Sequence, residues 1–391
     1  MFTELRPVGN RIIFSPSKLE PELFQPFSFI GFDSGTSALA AALVAIVKFR
    51  SEIINPEVLI PAYSCPDIIS ACIYAKIKPV LVDFEPFSPY IELETLLSKI
   101  SDNTIAVIAI NFMGIPERIS AIRSCIKMNN ITLIEDSAQG FPIKKIDKYW
   151  SGDLIITSFG RGKPMNLMGG GALFFNKKTL NSGLLLEVEK LESKPLKKSP
   201  IAPLLYRIKA MLFNLLSKPT LYFFIRRLPL LNLGATVYHP LLEISPLPET
   251  ISKQIMRNYL INYKNFIHFK KLRKQYDRLF SQLDQSITSL PIKTKLPQNF
   301  PLLRYPILIS NKKLKQTVFR KLNEANLGAS LMYQTILPEV EKIENSMFKT
   351  IEDYPNARVL AESLITLPMH QDIQVKNIKQ IEAIILKSSS I

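Results

Sequence analysis

Between residues 28 and 176, short apolar runs alternate with longer segments in which apolar residues recur every three or four positions. The runs "EVLIPA" (57–62), "KPVLVDF" (78–84), "TIAVIAI" (104–110), "ITLIED" (131–136), "DLIITSF" (153–159) and "GALFF" (171–175) predict strands. Between them, "TSALAAALVAIVKF", "PDIISACIYAKI", "ELETLLSKI" and "IPERISAIRSCIKM" predict helices. Such alternation argues for an α/β fold with a mostly parallel sheet covered by helices. In these sheets, sites form outside the carboxyl ends of the strands.

The pattern changes after residue 190. Residues 190–248 carry many prolines and long apolar stretches, and Ser193 to Leu242 contains no acidic residue but eight basic ones. A long helix is predicted from Ser252, with Ile255, Tyr259, Tyr263, Phe266, Leu272, Tyr276, Leu279 and Leu283 on one broad face. The remainder, with runs such as "LLRYPILI", reads as a compact α+β unit. The expected organisation is therefore a large domain over 1–248, with a basic, apolar insert at about 190–240. Residues 249–391 hold the long helix and a smaller C-terminal domain.

The 391 residues, 47% of them hydrophobic, suffice for a sizeable core. Cys65, Cys72 and Cys125 lie at no metal-ligand spacing and read as reduced thiols of a cytoplasmic protein. His239, His268 and His370 likewise show no metal spacing and read as structural. The N-terminus shows no basic segment followed by an apolar run, so no secretory leader is expected. The net charge of +16 fits nucleic acid, a membrane surface or an anionic substrate. Nucleic acid is set aside, because the basic residues interleave with aliphatic ones and no recognition motif occurs. The longest uncharged run of the insert, Leu228 to Leu242, is too short and proline-broken to span a bilayer, which takes about 20 apolar residues. The segment "LLYRIKAMLFNLLSKPTLYFFIRRL" suits an anionic membrane surface; it also suits an intersubunit or core-covering helical excursion.

Four short motifs fall where a parallel sheet presents functional groups. In "DSGTSALAAAL" (33–43), Gly35 relieves a turn and Thr36 and Ser37 open a helix, whose free N–H groups make an anion site. The same residues fit an ordinary helix cap. In "IEDSAQG" (134–140), Asp136 ends a strand, where a carboxylate suits a protonated ring nitrogen, and Gln139 reaches the same ring from another side. In "SFGRGKPMNLMGGG" (158–171), Ser158 ends a strand and Lys163 follows among glycines, which let backbone approach a ligand. A lysine becomes an amine nucleophile when burial or a neighbouring cation such as Arg161 lowers its pKa; otherwise it is a solvated loop charge. In "PAYSCPD" (61–67), Cys65 is placed either against a flat ring or, with Tyr63, in the core. Together these parts suit pyridoxal 5′-phosphate, which needs a lysine, a carboxylate at the pyridinium nitrogen and a phosphate site.

The chain resembles the PLP-dependent sugar aminotransferases of the DegT/StrS group. The resemblance rests on "SGTSAL", "PAYSCPDIISACIYAKIKPVLVDFE", "EDSAQ", the spacing from Ser158 to Lys163 and on to the glycines, and "YPNARVLAESLITLPMH" (354–370). It implies the fold type I architecture, with a mostly parallel seven-stranded sheet. It implies Lys163 as the catalytic amine that holds the cofactor and moves a proton, Asp136 at the pyridine nitrogen and Gln139 near the ring hydroxyl. Thr36, Ser37 and Ser158 would hold the phosphate, and Tyr333 would lie near the substrate. The implied reaction moves an amino group from a donor such as glutamate to a nucleotide-linked keto sugar for surface polysaccharide, in a homodimer.

The chain departs from the family pattern at four places. "GEGG" is Met168-Gly169-Gly170-Gly171; an aromatic residue is replaced by Cys65; "GxNxR" has no counterpart in "LGATVYHP" (233–240); and "HxxG" is "NFMG" (111–114). Two rival functions follow: transamination of a lipid-linked or membrane-presented carbonyl, and a catalytically inactive homologue with a binding role.

Overall fold

The computed structural model describes residues 2–14, 24–127, 130–140, 149–191, 201–228, 238–247, 251, 261, 269–283, 286–298, 300–348 and 353–389. Two sheets organise them. The larger has seven strands in the order β1-β7-β6-β5-β4-β2-β3. These are β1 (Ser28–Phe32), β2 (Glu57–Pro61), β3 (Lys78–Val82), β4 (Thr104–Ile110), β5 (Thr132–Asp136), β6 (Leu154–Ser158) and β7 (Gly171–Phe175). Strands β3, β2, β4, β5 and β6 run parallel, while β7 is antiparallel to both β6 and β1.

The middles of the strands are apolar because both faces are covered. Val58, Ile60, Ala106, Ile108 and Ile134 point to the side of α1 (Gly35–Phe49) and α2 (Asp67–Tyr74). Their strand neighbours Leu59, Val107, Ala109 and Leu133 point the other way, against α3 (Leu93–Lys99) and α4 (Ile119–Ile126). Helix α1 is the central layer element: Ala38, Ala40, Ala41, Ala42 and Ala45 are fully or almost fully buried, and their small side chains let the helix lie close to the sheet. Helix α5 (Ser182–Glu189) packs beside it.

Two further helices, α6 (Ala202–Leu216) and α7 (Pro219–Ile225), form the described part of the insert. They rest on the N-terminal segment. Asn214 Nδ2 donates to Ile12 O (2.7 Å) and its Oδ1 accepts from Ile12 N (2.8 Å), while Glu4 pairs with Arg226 and, at 2.8 Å, with Arg227. The predicted long helix is helical at 251, at 261 and over 269–281 (α8), where Leu272, Tyr276 and Leu279 are buried as the pattern requires. Ile255, Tyr259, Tyr263 and Phe266, and the proposed boundary at 248/249, lie outside the described residues.

The smaller sheet has the order β10-β9-β8, all antiparallel, from β8 (Ile287–Ser289), β9 (Arg304–Ile309) and β10 (Leu364–Pro368). Short α9 (Leu290–Lys293), α10 (Lys312–Glu324), α11 (Pro355–Ser363) and α12 (Val375–Ser389) accompany it. One carboxylate ties the two sheets together. Asp83, just past β3, accepts from the first free amides of α11, Asn356 N (3.1 Å) and Ala357 N (2.7 Å), where a negative charge also meets the positive end of the helix dipole.

A buried polar cluster pins the N-terminal segment to the end of β10. His370 accepts at Nδ1 from Asp372 N (3.2 Å), so its Nε2 donates to Arg6 O (2.8 Å), and Arg6 pairs with Asp372 at 2.9 Å. Burial, with the Arg6 charge next, pushes His370 down to about 4 from its ordinary 6.5. The unfolded chain therefore takes up a proton below pH 6.5 that the folded chain refuses. Stability present above 6.5 is lost as pH falls towards 4, by roughly 3 kcal/mol at full extent. Urea midpoints at pH 7 and pH 5 should show that the His370→Gln variant, which keeps a donor to Arg6, loses less stability on acidification than the wild type.

Candidate active site

A cavity of about 260 Å3 opens at the carboxyl ends of β4, β5 and β6, facing the start of α1. The chain closes it by a tight approach of β7 to the turn before α1. A Cβ on Gly171 would lie 2.5 Å from Gly35 N and Ser34 O, and one on Gly35 would lie 2.8 Å from Ser158 Cβ. No side chain fits at either position, so glycine is required there. Ser34 caps the helix, its Oγ accepting from Ser37 N (3.0 Å) and donating to Ser37 Oγ (2.9 Å). Gly35 and Thr36 line the cavity at the helix start, and Ser158 lines it from the end of β6.

The loop after β6 folds back on itself: Leu167 N donates to Phe159 O (2.8 Å) and Phe159 N to Gly170 O (2.8 Å). This return places the half-buried Lys163 on the cavity wall. Met168 takes the left-handed φ of +65° and donates its N–H to Asn166 Oδ1 (3.0 Å).

Asp136 faces the same cavity from the last position of β5. Its Oδ1 accepts from Ala138 N at 2.9 Å. Burial raises its carboxyl above the ordinary carboxylate range, and the Ala138 N–H and the Lys163 charge oppose that rise. The Lys163 and Asp136 side chains thus line the same cavity.

Gln139 is held at both ends: Oε1 accepts from Met113 N (3.0 Å) and Nε2 donates to the Tyr333 hydroxyl (3.3 Å). Tyr333 comes from the segment between α10 and α11, and its side chain lies next to the Cys65 thiol. Burial, then Asp67, pushes Cys65 up to about 12, and burial raises Tyr333 well above its usual value, so both stay protonated. Tyr63, by contrast, is core: it stacks 6.0 Å from Phe112 and donates to Tyr333 O at 3.0 Å.

The structure therefore brings together Thr36, Cys65, Asp136, Gln139, Ser158, Lys163 and Tyr333. Ser37 is not among the lining residues; it is fully buried against Ser34, and Ser34 lines the cavity instead. Sequence reasoning missed three further groups. Asp67 lines the cavity and accepts from Thr36 Oγ1 at 3.4 Å; its signal was its place beside Pro66 in the strand-to-helix turn. Phe112 lines it from the segment "NFMG". Arg304, at the start of β9, carries a buried Nε with no hydrogen-bond partner among the described residues, and Nη1 reaches Thr366 Oγ1 at 3.5 Å. Burial lowers its pKa, Tyr333 and Tyr63 oppose this, and no carboxylate pairs with it among the described residues.

The sequence profile of the DegT/DnrJ/EryC1/StrS aminotransferase family matches residues 27–188 and 260–386, which is well over half of the chain. The chain belongs to this family. It is 29% identical over 149 residues to the GDP-perosamine synthase of Escherichia coli O157:H7, covering 38% of this chain and 40% of that protein. The match thus spans less than half the length of that relative. It is 22% identical over 364 residues to the dTDP-4-amino-4,6-dideoxy-D-glucose transaminase of Shigella dysenteriae, covering 91% of this chain and 85% of that protein. The structure of NtdA from Bacillus subtilis, with its cofactor PMP bound, superposes with a TM-score of 0.70 at 16% identity, covering 93% of this chain and 73% of that one. At that identity the likeness carries the fold, and this family member has the expected fold type I architecture.

Proposed function

We propose that this family member is a pyridoxal-phosphate-dependent aminotransferase that moves an amino group from an amino acid, glutamate as the working donor, to a keto sugar carried on a nucleotide. The observation that supports this most is the single cavity in which an amine, a buried carboxylate and a helix N-terminus face one another. The donor set fits the cofactor. Free amides at Gly35 and Thr36, with the hydroxyls of Thr36 and Ser158, suit a phosphate dianion. Asp136 suits a ring nitrogen that must keep its proton, because a neutral partner would leave its own buried charge unmatched. Bound there, pyridoxal phosphate supplies an electron-withdrawing ring that stabilises negative charge at a substrate carbon.

The protein's own residues do the rest. Lys163 would hold the cofactor through its amine, and its Nζ would be the group that takes up and returns a proton. Gln139, fixed by Met113 N and Tyr333, presents a defined edge to the ring; Cys65 packs as a neutral thiol, and Tyr333 stands where substrate enters. Arg304 has a guanidinium beside Tyr333 with no carboxylate partner among the described residues, and an amino-acid carboxylate would provide one. A nucleotide sugar as acceptor is supported by the GDP- and dTDP-sugar names of the two curated relatives above; the working unit is a homodimer, and the compartment is the cytoplasm.

Purified protein incubated with pyridoxal phosphate should show a visible absorption band that changes on adding glutamate, with release of the keto acid. Keto sugars linked to GDP, dTDP and UDP then identify the acceptor. Failure to retain the cofactor at saturating concentration would support the binding-protein reading instead.

A further inference from the structure

Helix α6 is amphipathic in the inverted sense. At ~100° per residue, Tyr206, Ala210, Asn214 and Ser217 form one stripe, and this polar and small stripe faces the protein. Ala210 and Ser217 are buried, Asn214 is bonded to Ile12, and the Tyr206 hydroxyl donates to Leu167 O at 3.3 Å. The opposite stripe faces outward and is apolar: Leu204 is 59% exposed, Ile208 47%, Met211 58%, Leu212 51% and Leu215 46%. Arg207 and Lys209 fall on its two edges. Beyond the helix, Phe2 (71% exposed) and Phe224 (57%) add a second exposed apolar pair, stacked on each other at 6.2 Å. A contiguous apolar face of this kind is unusual on a free surface and marks a contact site.

Charge decides which contact. Arg226 and Arg227 are paired with Glu4, but Arg207, Lys209 and Lys218 have no carboxylate partner among the described residues. No acidic residue occurs between Ser193 and Leu242. A second copy docking through the same face would oppose like charges, since a two-fold contact brings each patch against itself. An anionic lipid surface meets both needs: apolar side chains enter the acyl boundary while the flanking cations sit among headgroups. No helix among the described residues is long and apolar enough to cross a membrane, and α6 has 15 residues.

We propose that the outward face of α6, together with Phe2 and Phe224, docks in the plane of an anionic lipid bilayer. The full chain should co-float with vesicles of one part phosphatidylglycerol to three parts phosphatidylcholine. Binding should fall at least about tenfold on vesicles of phosphatidylcholine alone, and fall again in high salt, which screens the headgroup attraction. The exposed-residue variant Leu204→Ser/Ile208→Ser/Leu212→Ser should keep the wild-type circular dichroism and lose vesicle binding by about 100-fold or more. Arg207→Gln/Lys209→Gln should remove most of the preference for anionic vesicles. Equal flotation of the wild type and the triple serine variant overturns the proposal. So does a wild type that binds no vesicles while the triple variant shifts to a smaller oligomer, which would make this face a contact between copies. The assay reads no catalysis, so its failure leaves the transaminase reading untouched.

Discussion

Replacing Lys163 with alanine abolishes the change in the cofactor spectrum on adding glutamate and lowers single-turnover transamination by at least about 10³-fold. Loss of a positioned proton carrier alone is worth about 10²–10⁴-fold, and this residue also supplies the amine. The informative companion is Lys163→Arg. A guanidinium keeps the positive charge that opposes the raised pKa of Asp136, but it cannot give up a proton in a protein. If Lys163 acts as an amine, arginine is as inactive as alanine, although it retains the cofactor better. Substantial turnover by the arginine variant would reduce the residue to an electrostatic partner and remove it from the chemistry.

Much of the larger sheet was legible because its strands are continuous apolar runs closed by turn residues. Strands β4 and β7 run over the residues that the pattern predicts, and β5 and β6 differ from it only at their ends. Strand β1 was not legible. "SFIGF" is short and contains Gly31, and it becomes a strand by pairing with β7 from Ser28 opposite Phe175 to Phe32 opposite Gly171. That partner lies far along the chain, where local periodicity carries no information. Strand β8 has three residues and is beyond any periodic signal.

The cavity divides in the same way. Asp136 and Ser158 could be read as site residues because strand ends of a parallel sheet are where ligands bind, and Lys163 because glycines bracket it. Ser37 lies off the cavity wall, and a Ser-Gly-Thr-Ser run does not reveal which hydroxyl caps the helix and which lines the cavity; the hydrogen bonds assign Ser34 to the cap. Arg304 was hidden inside a strand pattern, and its lack of a carboxylate partner among the described residues is visible only once Thr366, Tyr63 and Tyr333 are placed near it. The insert was legible as apolar and basic, but not in its orientation. The backbone groups of Ile12 and Leu167 turn the polar stripe of α6 inward, and those partners belong to other parts of the chain.

Asp136→Asn is the sharpest test of the carboxylate, because the amide keeps the shape and leaves an oxygen to accept from Ala138 N, as Oδ1 does at 2.9 Å. Only the charge is lost. A neutral side chain no longer holds the proton on the ring nitrogen, and kcat should fall by about 10²–10³-fold, the usual cost of losing one preorganised electrostatic group in a closed site. The cofactor should remain bound through the helix N-terminus and Ser158, so KM for the donor changes little. The pH profile supplies the second readout. Burial raises the pKa of Asp136 in the empty cavity, so uptake of the cofactor by the wild type, and activity with it, should weaken as pH falls and the carboxylate is neutralised before the ring nitrogen can pair with it. The asparagine variant has nothing to protonate there, and this acid limb should disappear. Wild-type kcat with an unchanged acid limb in the asparagine variant would show that the buried charge facing Lys163 takes no part in the reaction.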